Sequence, residues 1–179
     1  VRYSMTLYGG ATDPKPLAEE DFDWPEVCLT LRELVEREHP KGMQKKHMMA
    51  WGPHKLILPH RLLPNVKYVS MHVLDVDSGN VHALARAVKR HSLAAILYGS
   101  PSDDEEGPED ERRLRVVIPA SRRIKVEESR RVRFQVAEHL GLRKGCGVSG
   151  AKDASRIFFA GRMHGTAPRY WETFKGEAL

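Results

Sequence analysis

Leu93-Ala94-Ala95-Ile96-Leu97-Tyr98 is a near-continuous apolar run, and it constrains the fold more than any other stretch. It is too short for a core helix, and its apolar character on successive residues marks a strand buried on both faces. Such a strand needs cover on either side, so the chain must form layers. Two other runs supply neighbours: Tyr68 to Asp77, the strongest strand, and Leu114-Arg115-Val116-Val117-Ile118-Pro119. Between the first two, Val81, Leu84, Ala85 and Val88 recur at helical spacing and predict a helix to about Arg90. Lys125 to Gly141 reads as another helix, with Val132, Val136 and Leu140 inward and Gly141 at its C-cap. Asp23 is placed to cap a helix with Pro25 near its first turn and Val27, Leu31, Leu34 and Val35 as its stripe, through about Glu38. Residues 2–8 and 157–160 read as strands, and Met43 to Pro64 as a long basic loop carrying short elements. The fold class this implies is a layered α/β or α+β domain.

A chain of 179 residues suits one such domain. No apolar run approaches the roughly 18 residues of a membrane span, which argues against an integral membrane protein. The net charge of +5 permits nucleic acid or a nucleotide as partner. Cys28 and Cys146 stand far apart without CxxC spacing, as expected of a reduced, cytoplasmic protein with no disulfide framework. Nine histidines form no HxH or HExxH pattern, so no zinc site is read. Trp24 and Trp51 are expected to pack rather than stack on bases. The first residues lack an apolar signal segment, and the chain reads as a fragment of a longer protein.

Three clusters carry chemistry. In Leu74-Asp75-Val76-Asp77 the two acids share a face at the C-terminal end of a strand. They read either as a solvated pair or as holders of a hard divalent cation that also binds substrate phosphates. Arg112, Arg113 and Arg115, followed by Arg122, Arg123, Lys125, Arg130, Arg131 and Arg133, make a basic run. Arg113 and Arg115 share a face as a fork for phosphate, or the arginines pair with the acidic loop Asp103 to Glu111, which carries seven acids in nine residues and is expected to be solvated and dispensable. Lys152-Asp153-Ala154-Ser155-Arg156 is either a phosphate contact at a strand entrance or a simple turn.

The order of these features (an apolar strand ending in DxD, a helix, an apolar strand with Tyr98-Gly99-Ser100-Pro101-Ser102-Asp103, an RVVIP strand, a helix ending Leu140-Gly141, then Asp153-Ala154-Ser155-Arg156 before Ile157-Phe158-Phe159) resembles the archaeo-eukaryotic primase superfamily. It is most similar to the primase–polymerase domains that precede phage and plasmid replicative helicases. The resemblance covers most of the chain and implies an α+β core with an RNA-recognition-like, mixed or antiparallel sheet packed by helices, spanning residues 1–179 as one catalytic domain. It implies a template-dependent nucleotidyltransferase using Mg²⁺ or Mn²⁺, with Asp75 and Asp77 as the catalytic, metal-holding pair. Ser102, Arg113, Arg115, Ser155 and Arg156 would bind the nucleoside triphosphate. Lys125, Arg130, Arg131 and Arg133 would follow single-stranded or primer–template DNA. A replicative helicase would lie in the same or a neighbouring chain. Relatives carry a His where Asp103 stands, and a third acid in the interval where Arg143 to Gly150 has none. Asp103 or Asp153 is therefore the expected substitute ligand. Otherwise the domain is a weakened replication-initiation or single-strand-binding module. A metal-dependent nuclease using the same DxD is the remaining alternative.

Overall fold

The computed structural model describes residues 1–103, 106–108, 110–142 and 154–179. Asp153, Arg143 and Lys144 lie outside the described residues, as does the acid-free interval 143–150. The described residues form an α+β fold of two sheets and three helices. The larger sheet has the order β4-β5-β7-β6-β9. It is built from β4 (His54–Leu56), β5 (Val66–Gly79), β6 (Ala95–Gly99), β7 (Arg112–Ile124) and β9 (Trp171–Phe174), paired antiparallel throughout. The smaller sheet runs β2-β1-β3-β8, with β1 (Tyr3–Tyr8), β2 (Ala18–Phe22), β3 (Ala50–Gly52) and β8 (Phe158–Phe159). A single sheet was the expectation. The second is held together by β3, from the supposed loop 43–64, which joins β1 to β8; the same segment adds β4 to the larger sheet, and the three-residue length of both strands leaves no periodic trace.

Each face of the larger sheet is covered, as the apolar run of β6 requires. Leu74 and Val76 of β5, Leu97 of β6 and Val116 of β7 point one way and pack under α2 (Val81–Arg90) and α3 (Val126–His139). Met71, Val73, Ile96, Tyr98 and Val117 point the other way and pack with β1, Trp51 and α1 (Trp24–Glu36). From Met71 to Val76, alternation along β5 thus sorts even-numbered side chains toward the helices and odd-numbered ones toward the smaller sheet and α1; before the register shift between Val69 and Met71 the sense is reversed, and Tyr68 and Ser70 meet Ser4 of β1. The helix starts follow the sequence. Asp23 caps α1 in a reciprocal capping box with Glu26, and Asn80 caps α2 through the Ala83 amide at 2.9 Å. Gly141 ends α3 with φ +73°, a conformation that a Cβ would strain.

On the helix side of β5, His72 is buried with Arg122 and Arg133 nearby and the Leu179 backbone as hydrogen-bond partner. Burial first, then the two guanidiniums, push its imidazole down from 6.5 to about 4. The unfolded chain therefore binds the proton more readily than the native one. Stability should be complete above pH 6.5 and fall as pH drops toward 4, by up to about 3 kcal/mol. Urea unfolding of His72→Leu across that window should show a flatter pH profile than the parent. Equal slopes would exclude His72 as the source.

Candidate functional site

The site forms where β5, β7 and β6 carry polar residues at their common end. The register sets Asp75 opposite Arg115 and Arg115 opposite Tyr98, a row across three strands on the face away from the helices. Just past Asp75 the β5–β7 ladder slips by a residue, between Val76 and Gly79. Asp77, exposed beyond the apolar part of β5, sits on this irregular end.

Asp75 is held from two sides. Arg115 Nε donates to Oδ1 at 3.0 Å, and an Arg156 guanidinium nitrogen donates to Oδ2 at 2.8 Å. The two guanidiniums differ in freedom. Arg115 is buried, its side chain 5% exposed. It also donates to the Phe159 carbonyl, interacts with the Tyr98 hydroxyl, and lies between the Phe158 and Tyr98 rings at 5.2 and 5.9 Å. Tyr98 in turn accepts from Trp51 Nε1 at 3.3 Å, and burial raises its phenol pKa. Arg156 is 28% exposed, rests over Phe158 at 5.6 Å, and has Asp75 as its ion-pair partner.

Lys45 completes the group. It belongs to a short 3-10 turn, Lys45–His47, that precedes β3. Its ammonium donates to Ser102 Oγ and lies 5.7 Å over the Phe159 ring. Partial desolvation, with Arg115 next, pulls its pKa below the ordinary lysine value, while Asp75 and Asp77 oppose that shift. Arg113 is exposed on β7 and also acts on Lys45. Its guanidinium has no polar partner among the described residues.

Of the residues expected from sequence, six converge here: Asp75, Asp77, Ser102, Arg113, Arg115 and Arg156. Ser155 is buried in the turn before β8. Three expectations need correction. Arg115, expected to clamp phosphate, is enclosed and committed to Asp75, Tyr98 and the Phe159 carbonyl; it positions the acid. Asp103, expected as a substitute metal ligand, has a fully buried carboxylate that accepts from Arg112 Nε and a second Arg112 nitrogen at 3.0 and 2.5 Å and from the Arg113 amide at 2.7 Å. Its oxygens are thus occupied by protein donors. Arg133, expected on a DNA track, is buried. Lys125, Arg130 and Arg131 are exposed, but α3 covers the sheet face opposite to that of Asp75, so a strand following that helix would be separated from Asp75 by the sheet. Lys45 was missed because its 3-10 turn is irregular in sequence; the signal available was the lack of any acid between Glu38 and Asp75.

Among the described residues, no three His, Cys, Asp or Glu side chains come together as a metal cage, and no helix is long and apolar enough to cross a membrane. No family model, curated protein or solved structure matches the chain.

Proposed function

We propose that the chain is a template-dependent nucleotidyltransferase of the primase–polymerase type. The observation that carries the reading is the convergence of the DxD acids with Lys45, Ser102, Arg113 and Arg156, drawn from four separate segments, at one end of an antiparallel sheet. The unit β5-α2-β6-β7-α3, with strand order β5-β7-β6 and both helices on one face, also accords with a split β-α-β, RNA-recognition-like core.

The donor set fits Mg²⁺ or Mn²⁺ in one form. Lys45, Arg113, Arg115 and Arg156 outnumber Asp75 and Asp77 by two charges. A lone cation adds to that excess, whereas a triphosphate reverses it. Magnesium is commonly held by one or two carboxylates together with substrate phosphates. Asp75 and Asp77 would hold the ion on that basis, and when bound it would acidify the attacking hydroxyl and neutralise the leaving pyrophosphate. Lys45, Arg113 and Arg156 grip the phosphates, Ser102 orients Lys45, and Arg115 keeps Asp75 aimed. Incorporation of labelled nucleotide opposite a primed template with Mn²⁺ tests the reading, and its absence would sink it. A non-catalytic nucleotide- or strand-binding module is the second reading, favoured by the occupation of both Asp75 oxygens by arginines. It predicts binding without incorporation.

The DNA contact falls to the acid-free segment rather than to α3. Lys41 and Lys46 are exposed, and Lys46 neighbours Lys45. Lys41→Glu with Lys46→Glu should weaken oligo-dT binding and reduce the slope of log affinity on log salt by about one per residue. Arg130→Glu with Arg131→Glu should leave both unchanged. The opposite pattern in fluorescence anisotropy would restore α3 as the track.

A further inference from the structure

Arg156 stands on Asp75 where a cation bound by that carboxylate would stand. We propose that this site takes a polyphosphate anion ahead of any divalent cation, with Lys45 as the anchor of the anion and Arg156 as an internal cation that must leave Asp75 before a metal can bind. The inference deepens the nucleotide-binding reading of the site and rests on it.

The argument follows from which cations can move. Arg115 cannot: it is enclosed by two rings and bound to the Phe159 carbonyl and Tyr98 as well as to Asp75. Arg156 has only Asp75 as a polar partner among the described residues, and more than a quarter of its side chain is open to solvent. Moving it exchanges one charge-assisted hydrogen bond for another. Lys45 is already steered toward the site by Ser102. Burial is the main cause of its lowered pKa, and Arg115 and Arg113 add to it a positive crowding that an anion would relieve. Arg113, which also acts on Lys45, presents a guanidinium with no polar partner among the described residues. A phosphate chain meeting these three groups gives Arg156 a better-charged partner than a single carboxylate. Once Arg156 has turned, Asp75 Oδ2 and the exposed Asp77 face the same anion with no guanidinium between them. Without the anion, a divalent ion meets an excess of positive charge and an acid whose two oxygens are taken. Mutual affinity then follows by linkage: the anion strengthens the metal, and the metal strengthens the anion by the same factor.

The test uses inorganic triphosphate and Mn²⁺ separately, so it involves no nucleotide, template or turnover. Calorimetry in EDTA should show triphosphate binding to the parent protein. Lys45→Met should weaken it about tenfold, while Arg86→Gln with Arg90→Gln on the far helix layer should not. The electron paramagnetic resonance signal of free Mn²⁺ should be undiminished by the parent protein alone and should fall, when triphosphate is added, by more than the same triphosphate removes without protein. Arg156→Gln should bind Mn²⁺ without triphosphate at least tenfold more tightly than the parent. Arg156→Lys, which keeps the charge, should not. The inference is overturned if triphosphate requires metal, if the parent binds Mn²⁺ alone as tightly as Arg156→Gln does, or if Arg156→Gln gains nothing. Circular dichroism of each variant confirms that it is folded. Loss of nucleotide incorporation with these binding results intact would refute the polymerase reading and leave the binding order standing.

Discussion

Asp75→Asn should abolish nucleotide transfer and also lower unfolding stability by about 3 kcal/mol, whereas Asp77→Asn should abolish transfer at almost no cost in stability. Read from the sequence, both acids look alike: two carboxylates on one face that repel each other, so that neutralising either should hold or raise stability. The cross-strand partners separate them. Asp75 is 15% exposed and is the counter-ion of Arg115, whose side chain is 5% exposed. An asparagine turns an N–H toward one of the two guanidiniums and leaves a buried charge uncompensated, the situation in which a broken buried pair costs about 3–5 kcal/mol. Asp77 is exposed at a slipped strand end, and exposed substitutions usually fall within about 0.5 kcal/mol. Urea melts of the two variants decide it. A parent-like midpoint for Asp75→Asn would mean that Arg115 does not depend on Asp75. A double variant, Asp75→Asn with Arg115→Met, should recover part of the loss, because neutral groups replace both charges.

The parts of the fold visible in the sequence are those where a long element buries a repeating face. β5, β6, β7 and α2 follow from apolar spacing, and the start of α1 from Asp23 and Pro25. β2 has the sequence Ala-Glu-Glu-Asp-Phe, which lacks strand alternation; its backbone is recruited by β1. β9 likewise follows an irregular stretch and is fixed by pairing with β6. The same division holds at the site. The shared face of Asp75 and Asp77 is a local property of an extended chain and could be read directly. The role of Arg115 could not be read, because it depends on the register that sets it opposite Asp75, a relation between residues 40 apart. An arginine on an apolar strand reads as aimed at a ligand, and here its ligand is an acid of its own sheet. Lys45 depends on a still longer path, through Ser102 and Phe159, and no spacing within its own segment records it.

The acidic loop yields the other large effect, because its first residue behaves unlike the rest. By composition, Asp103 to Glu111 is a solvated run in which any one acid is dispensable. Asp103, however, has a fully buried side chain that forms a two-point pair with Arg112, itself 9% exposed at the side chain, and accepts the Arg113 amide. Its own carbonyl accepts from Arg169 at 2.8 Å. Asp103 therefore closes the turn between β6 and β7 and fixes the start of the strand that carries Arg113 and Arg115. Asp103→Ala should lower stability by about 3 kcal/mol, since it breaks a buried two-point pair with Arg112 and removes the acceptor of the Arg113 amide. It should also weaken triphosphate binding through Arg113, even though Asp103 touches no ligand. Glu111→Ala, at the exposed end of the same loop, should be silent in both measurements. Thermal melts and calorimetry on the two variants separate the possibilities. If Asp103→Ala melts with the parent, the whole run is the solvated loop that its composition describes. If it binds Mn²⁺ less well while remaining fully stable, the carboxylate belongs to the metal after all. Loss of stability, with binding of triphosphate reduced in proportion to the disorder of Arg113, assigns it to the scaffold.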